Sequence, residues 1–172
     1  SEPRIGFGYL PLRCYNGHAR VMNNEAPAVD LNSDDIKEAS FTSIFIINDE
    51  KGKMVGSMQQ TPGYYESFNI RNKVKDKGLE QLQKDIKKDF GSEIEISNFH
   101  LDSLTRSEDV IKINYDFDLK GEAEDIIYVN PMFSEGYREN PFKSAERAYP
   151  VEMPYAIDET YSLQMEVPHG YV

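Results

Sequence analysis

The clearest signal along the chain is strict alternation: Ile111, Ile113, Tyr115, Phe117 and Leu119 are separated by Lys112, Asn114, Asp116 and Asp118. Successive strand side chains point to opposite faces, so this period of two predicts a strand with one buried and one wet face. A similar run, Tyr161, Leu163, Met165 and Val167 between Ser162, Gln164 and Glu166, predicts a last amphipathic strand ending at Pro168. Ala39 to Ile47 and Lys53 to Met58 are β-rich and flank Asn48-Asp49-Glu50-Lys51-Gly52, whose turn chemistry predicts a hairpin. Ile94 and Ile96 open a further strand, Ile126 to Val129 mark a short one, and the tail resumes at Tyr149 to Met153.

The period changes after Pro62-Gly63. Tyr64 with Phe68, and Ile70 with Val74, stand at i, i+4 spacing and predict a helix near 64–75. Beyond Gly78, Leu79, Leu82, Ile86 and Phe90 recur at helical spacing, with Gly91 as a C-terminal stop, and predict a second helix over 79–90. Asn130-Pro131 and Asn140-Pro141 break the pattern into a loop anchored by Phe133, Tyr137 and Phe142. The opening Gly6-Phe7-Gly8-Tyr9-Leu10-Pro11 has no period and reads as an extended segment laid over something else. The expected architecture is therefore mainly β (α+β): an antiparallel β-sandwich or half-open barrel with an inserted pair of helices. Residues 1–36 form an extended linker and 37–172 a β domain. Without regular β-α alternation, a doubly wound sheet is not expected.

Composition supports a folded piece. Apolar residues are 39% and Phe plus Tyr 12% of the 172 residues, too much for a disordered chain. The net charge of −11 repels phosphate backbones and anionic headgroups, which argues against a nucleic-acid partner. Basic residues such as those in Lys84-Asp85-Ile86-Lys87-Lys88 are interleaved with acids, as on a solvated helix face. No apolar run approaches the ~20 residues that cross a bilayer. The chain starts at Ser1 without an initiator methionine and stops while a strand pattern is running, which suggests boundaries set by cleavage or cloning. A final strand deprived of its partner would leave an open edge, and strand-exchanged dimers are the expected consequence.

Little in the chain points to catalysis. The single cysteine, Cys14, has His18 four residues away, and in extended chain the two side chains lie roughly 13 Å apart at ~3.3 Å per residue. The intervening Asn16-Gly17 disfavours the helix that would join them. A packed thiol is the expected role. The three histidines have no metal-ligand spacing, and no metal or other cofactor is expected. Asp116 to Gly121 copies the start of a calcium loop, but Lys120 replaces a ligand and position twelve falls on Ile127. Glu93, Glu95, Glu122, Glu124 and Asp125 receive no acid–base role.

Three stretches carry a resemblance: Leu10-Pro11-Leu12-Arg13-Cys14-Tyr15-Asn16-Gly17, Tyr128-Val129-Asn130-Pro131-Met132, and Glu139-Asn140-Pro141-Phe142-Lys143 leading to Glu146-Arg147-Ala148-Tyr149-Pro150-Val151. Together they resemble the C-terminal part of Bacteroidetes transglutaminase-like proteins, which join an N-terminal β domain, a papain-like core with a Cys-His-Asp triad, and a C-terminal β domain of unknown function. The resemblance implies that the triad lies upstream of Ser1, that Cys14 is not the nucleophile, and that this fragment is not itself an enzyme. It also implies an exported or periplasmic setting, with the upstream catalytic core of the same polypeptide as partner and a protein or peptide as substrate. Leu10, Arg13, Cys14 and Asn16 are then the residues expected to face that core. The alternative is an autonomous β-sandwich that binds a peptide or glycan through the aromatics Phe133, Tyr137 and Tyr155.

Overall fold

The computed structural model describes residues 5–49, 53–90, 94–119, 129–133, 135, 139–140, 142–144, 146, 148, 153–168 and 170. Among the described residues, seven strands and two α-helices follow in the order β1 (Gly17–Arg20), β2 (Ala28–Leu31), β3 (Lys37–Asn48), β4 (Met54–Thr61), α1 (Tyr64–Lys77), α2 (Leu79–Phe90), β5 (Ile94–Asp102), β6 (Lys112–Leu119) and β7 (Ala156–Met165). β1 and β2 form a separate antiparallel hairpin. The other five strands make one open sheet in the order β5-β6-β4-β3-β7. The mainly β, α+β class read from the sequence is the observed one, and both helices start where their periodicity starts.

One feature of the sheet differs from expectation. β7 runs parallel to β3, pairing Ile44 with Leu163, so the sheet is mixed rather than wholly antiparallel. The alternation of Tyr161, Leu163 and Met165 specifies which face is buried but carries no strand direction. A parallel neighbour needs a long return connection, which residues 120–155 supply. The second layer is also helical: Ile70 of α1 and Leu82 of α2 pack against Ile44, Ile46, Met58, Ile113, Tyr115 and Phe117 of the sheet. The strand expected over 126–129 and the stretch 149–153 fall almost entirely outside the described residues, as do 50–52 of the hairpin turn and the helix stop at Gly91.

Close packing dictates several small residues. A Cβ on Gly56 would stand 2.4 Å from the Phe117 ring and 2.7 Å from the Phe45 carbonyl oxygen, so only glycine fits where β4 passes under that ring. α1 begins beside the Glu38 carboxylate, which accepts the Tyr65 N–H at 3.1 Å and the Glu66 N–H at 3.4 Å. An anion at a helix N-terminus satisfies orphan N–H donors and faces the positive end of the macrodipole. That is how Glu38 can be buried within a strand. Gly63 is small for the same reason, since its Cβ would meet the Glu38 carboxylate at 2.2 Å. Gly78 ends α1 at φ +84°, donating its N–H to the Val74 carbonyl at 2.8 Å.

The N-terminal segment lies on the start of α1. The Gly6 N–H donates to the Tyr64 hydroxyl at 2.6 Å, the Tyr65 hydroxyl donates to the Leu10 carbonyl at 2.8 Å, and the Tyr9 ring stacks on that of Tyr64. Ile5, Leu12, Tyr15 and Tyr155 complete this second apolar cluster around Ile36, Tyr64 and Tyr65. Burial pushes the Tyr65 phenol up, and its hydrogen bond with Tyr15 adds to the shift.

Candidate functional site

The two faces of the sheet are unequal. On β3, Thr42, Ile44 and Ile46 point toward the helices and are buried, whereas Phe41, Phe45 and Ile47 point the other way and remain 41%, 43% and 38% exposed. Register places Val55 of β4 opposite Ile47, so Phe45, Ile47 and Val55 form an apolar ridge on the outer face, with Phe41 further along it beyond the polar row of Ser43, Gln59 and Ser162. Thr160 and Gln164 of β7 flank Phe41 and Phe45 with smaller or polar groups. A clustered apolar patch on the solvent face of a sheet is the feature that distinguishes a contact surface from scattered surface hydrophobics.

Acids border this ridge. Asp116 and Asp118 of β6 stand opposite Ser57 and Val55, and Glu95 of β5 stands beyond Asp118. Lys53 reaches Asp118 at 2.6 Å, and that hydrogen bond raises the ammonium above its usual pKa. Asn98, at φ +48° in the β5 bulge, donates to Asp116 at 2.7 Å, and His100 pairs with Asp102 at 2.9 Å. The outer face therefore presents an apolar ridge with a predominantly acidic flank, suited to a partner of the opposite pattern.

The residues singled out from the sequence are dispersed. Leu10, Arg13 and Asn16 are exposed on the N-terminal segment, while Leu12 and Tyr15 between them pack inward. Cys14 is half-buried in a short 3-10 turn over Leu12–Cys14, with its N–H on the Pro11 carbonyl. Phe133 meets Phe117 and Phe90 edge to face, with ring centroids 5.8 and 6.5 Å away. Tyr155 stacks on Tyr65 in the other cluster. The two rings thus belong to different packing clusters; Tyr137 lies outside the described residues. His18 pairs with Asp30 across the β1–β2 hairpin, so each described histidine faces an aspartate. Among the described residues no group of three or more His, Cys, Asp or Glu side chains is arranged to hold a metal ion. No described helix is long and apolar enough to cross a membrane.

Phe41, Phe45, Ile47 and Val55 were not singled out by sequence reasoning. Their signal was present in Ile44-Phe45-Ile46-Ile47, which abandons alternation and so demands apolar cover on both sides of the strand.

The chain's relatives say little about activity. A family of unknown function with a solved structure, DUF3858, matches residues 125–172, a stretch that includes β7. No curated protein and no solved structure was found to match the chain.

Proposed function

We propose that this chain is a non-catalytic accessory module that docks through the outer face of its sheet onto a catalytic domain, of the transglutaminase-like kind its sequence resembles, in the same polypeptide. The observation that carries this reading is the ridge of Phe45, Ile47 and Val55, with Phe41 on the same face. Burying such side chains against a partner contributes ~1.5–3 kcal/mol each before the costs of association are met. The acidic flank of β5 and β6 would set orientation and raise the association rate against a basic rim. Leu10, Arg13 and Asn16, exposed on the N-terminal segment that packs on the start of α1, would form a second, separate point of contact with the preceding part of the polypeptide.

The test is size-exclusion chromatography with light scattering of this chain mixed with the separately prepared upstream domain. A stoichiometric complex that is weakened at least tenfold by Phe45→Asp, with helix content unchanged, supports docking by this face. A chain that stays monomeric beside the upstream domain, or a complex indifferent to Phe45→Asp, overturns it. An autonomous binding module would then be the better description.

A further inference from the structure

On the opposite side of the sheet, between its helix-facing surface and the helix pair, lies a cleft of about 310 Å³. Ile70, Leu82, Ile86 and Ile113 form apolar walls, and Gln60, Glu66, Asn69, Lys73 and Glu135 supply the polar groups. Its cationic side chain is engaged already, because the Lys73 ammonium pairs with Asp85 of α2 at 2.8 Å. Glu66 accepts from Asn69 at 3.3 Å. Glu135 is the unusual member: half-buried, it accepts only the Gln60 side-chain amide, at 2.7 Å, among the described residues. Burial holds its carboxyl above the usual carboxylate range, and the nearby Glu159 adds to this. A partly desolvated carboxylate with no cation paired to it among the described residues is an electrostatic deficit that a bound cation would relieve.

We infer that this cleft receives the side chain of a lysine presented by another protein, its ammonium on Glu135 and its methylene stem along Ile70, Leu82, Ile86 and Ile113. Three observations select that ligand. Apolar walls leading to a carboxylate match an aliphatic stem that ends in a charge. With one Glu135 oxygen held by Gln60, a compact ammonium fits better than the two-point fork of a guanidinium. The excess of acids in the whole chain favours the approach of a cation from any direction. Phe41 of the outer face also borders the cleft, but the lysine assignment rests on Glu135 and the apolar walls and stands independently of the accessory-module reading.

The test is calorimetric titration of the whole chain with Nα-acetyl-lysine methylamide, alongside the same compound acetylated on Nζ. The expected result is a Kd on the order of 1 mM for the free amine, weakened at least about tenfold both by Nζ-acetylation and by Glu135→Gln. Glutamine keeps an acceptor for Gln60, so the variant should melt no lower than the parent. In the unsubstituted protein, the Gln60 side-chain amide resonances should move with the free amine and stay fixed with its acetylated form. Equal binding of the two compounds, or no heat and no Gln60 shift at millimolar ligand, would overturn the assignment. A lysine-containing peptide that binds more tightly than the blocked amino acid identifies the source as protein, whereas free butylammonium binding as well as the peptide would reduce the site to one for small amines and refute the protein-borne assignment.

Discussion

Single residues show most directly how local chemistry overrides pattern. Glu38 occupies a strand position that reads as ordinary solvated polarity, yet it is buried because it caps a helix beginning twenty-six residues later, at Tyr64. Nothing local in the sequence announces that pairing, since it depends on the β3–β4 hairpin bringing Pro62-Gly63 back beside Glu38. Glu38→Ala should cost about 1–2 kcal/mol, the usual range for a helix cap with a favourable charge. Urea unfolding would measure it, and an unchanged midpoint would show that water replaces the carboxylate. Gly56→Ala should destabilise by about 1–3 kcal/mol, because the added methyl collides with Phe117 and with the β3 backbone. By contrast, the glycines at 8 and 17 have open space around their missing Cβ atoms, so only their positive φ argues against substitution.

At the level of elements, periodicity was enough to locate the helix pair, the β3–β4 hairpin and the strand of Ile113, Tyr115 and Phe117. It failed where information is non-local. The direction of β7 is fixed by the path of the preceding chain, and the helical second layer is fixed by which apolar faces find each other. Phe133 reads as a loop aromatic, but its rings' neighbours are Phe90 of α2 and Phe117 of β6, partners separated widely in sequence. The contacts between elements also predict a pH dependence. Burial raises the phenols of Tyr65, Tyr115 and Tyr161, the last to about 12. A raised folded-state value means that the neutral phenol is favoured by the fold, so the stability is intact below the ordinary tyrosine value of ~10 and is lost as pH climbs through the folded-state values. The chain has 11 tyrosines and no tryptophan, so tyrosinate absorbance can be followed without interference. The late-ionising fraction should appear together with loss of far-ultraviolet dichroism; complete ionisation near pH ~10 with the fold intact would contradict the packing described.

For the whole molecule, the unequal faces of one sheet are the central fact. One face is sealed by α1 and α2, and the other leaves Phe41, Phe45 and Ile47 facing solvent beside an acidic border. The fold class was legible because burial is written in alternation, whereas the ridge was legible only as a failure of alternation in Ile44-Phe45-Ile46-Ile47. β3 supplies its own control, because Ile44 and Ile46 point into the helix-covered core and Ile47 points out. Methyl NMR of the isoleucine- and valine-labelled chain, titrated with the upstream catalytic domain proposed above, therefore tests the account most directly. The docking reading predicts that Ile47 and Val55 methyl signals shift or broaden in stoichiometric proportion while those of Ile44 and Ile46 stay in place. Unmoved Ile47 and Val55 signals at saturating partner, or shifts confined to residues of the helix-covered face, would contradict it.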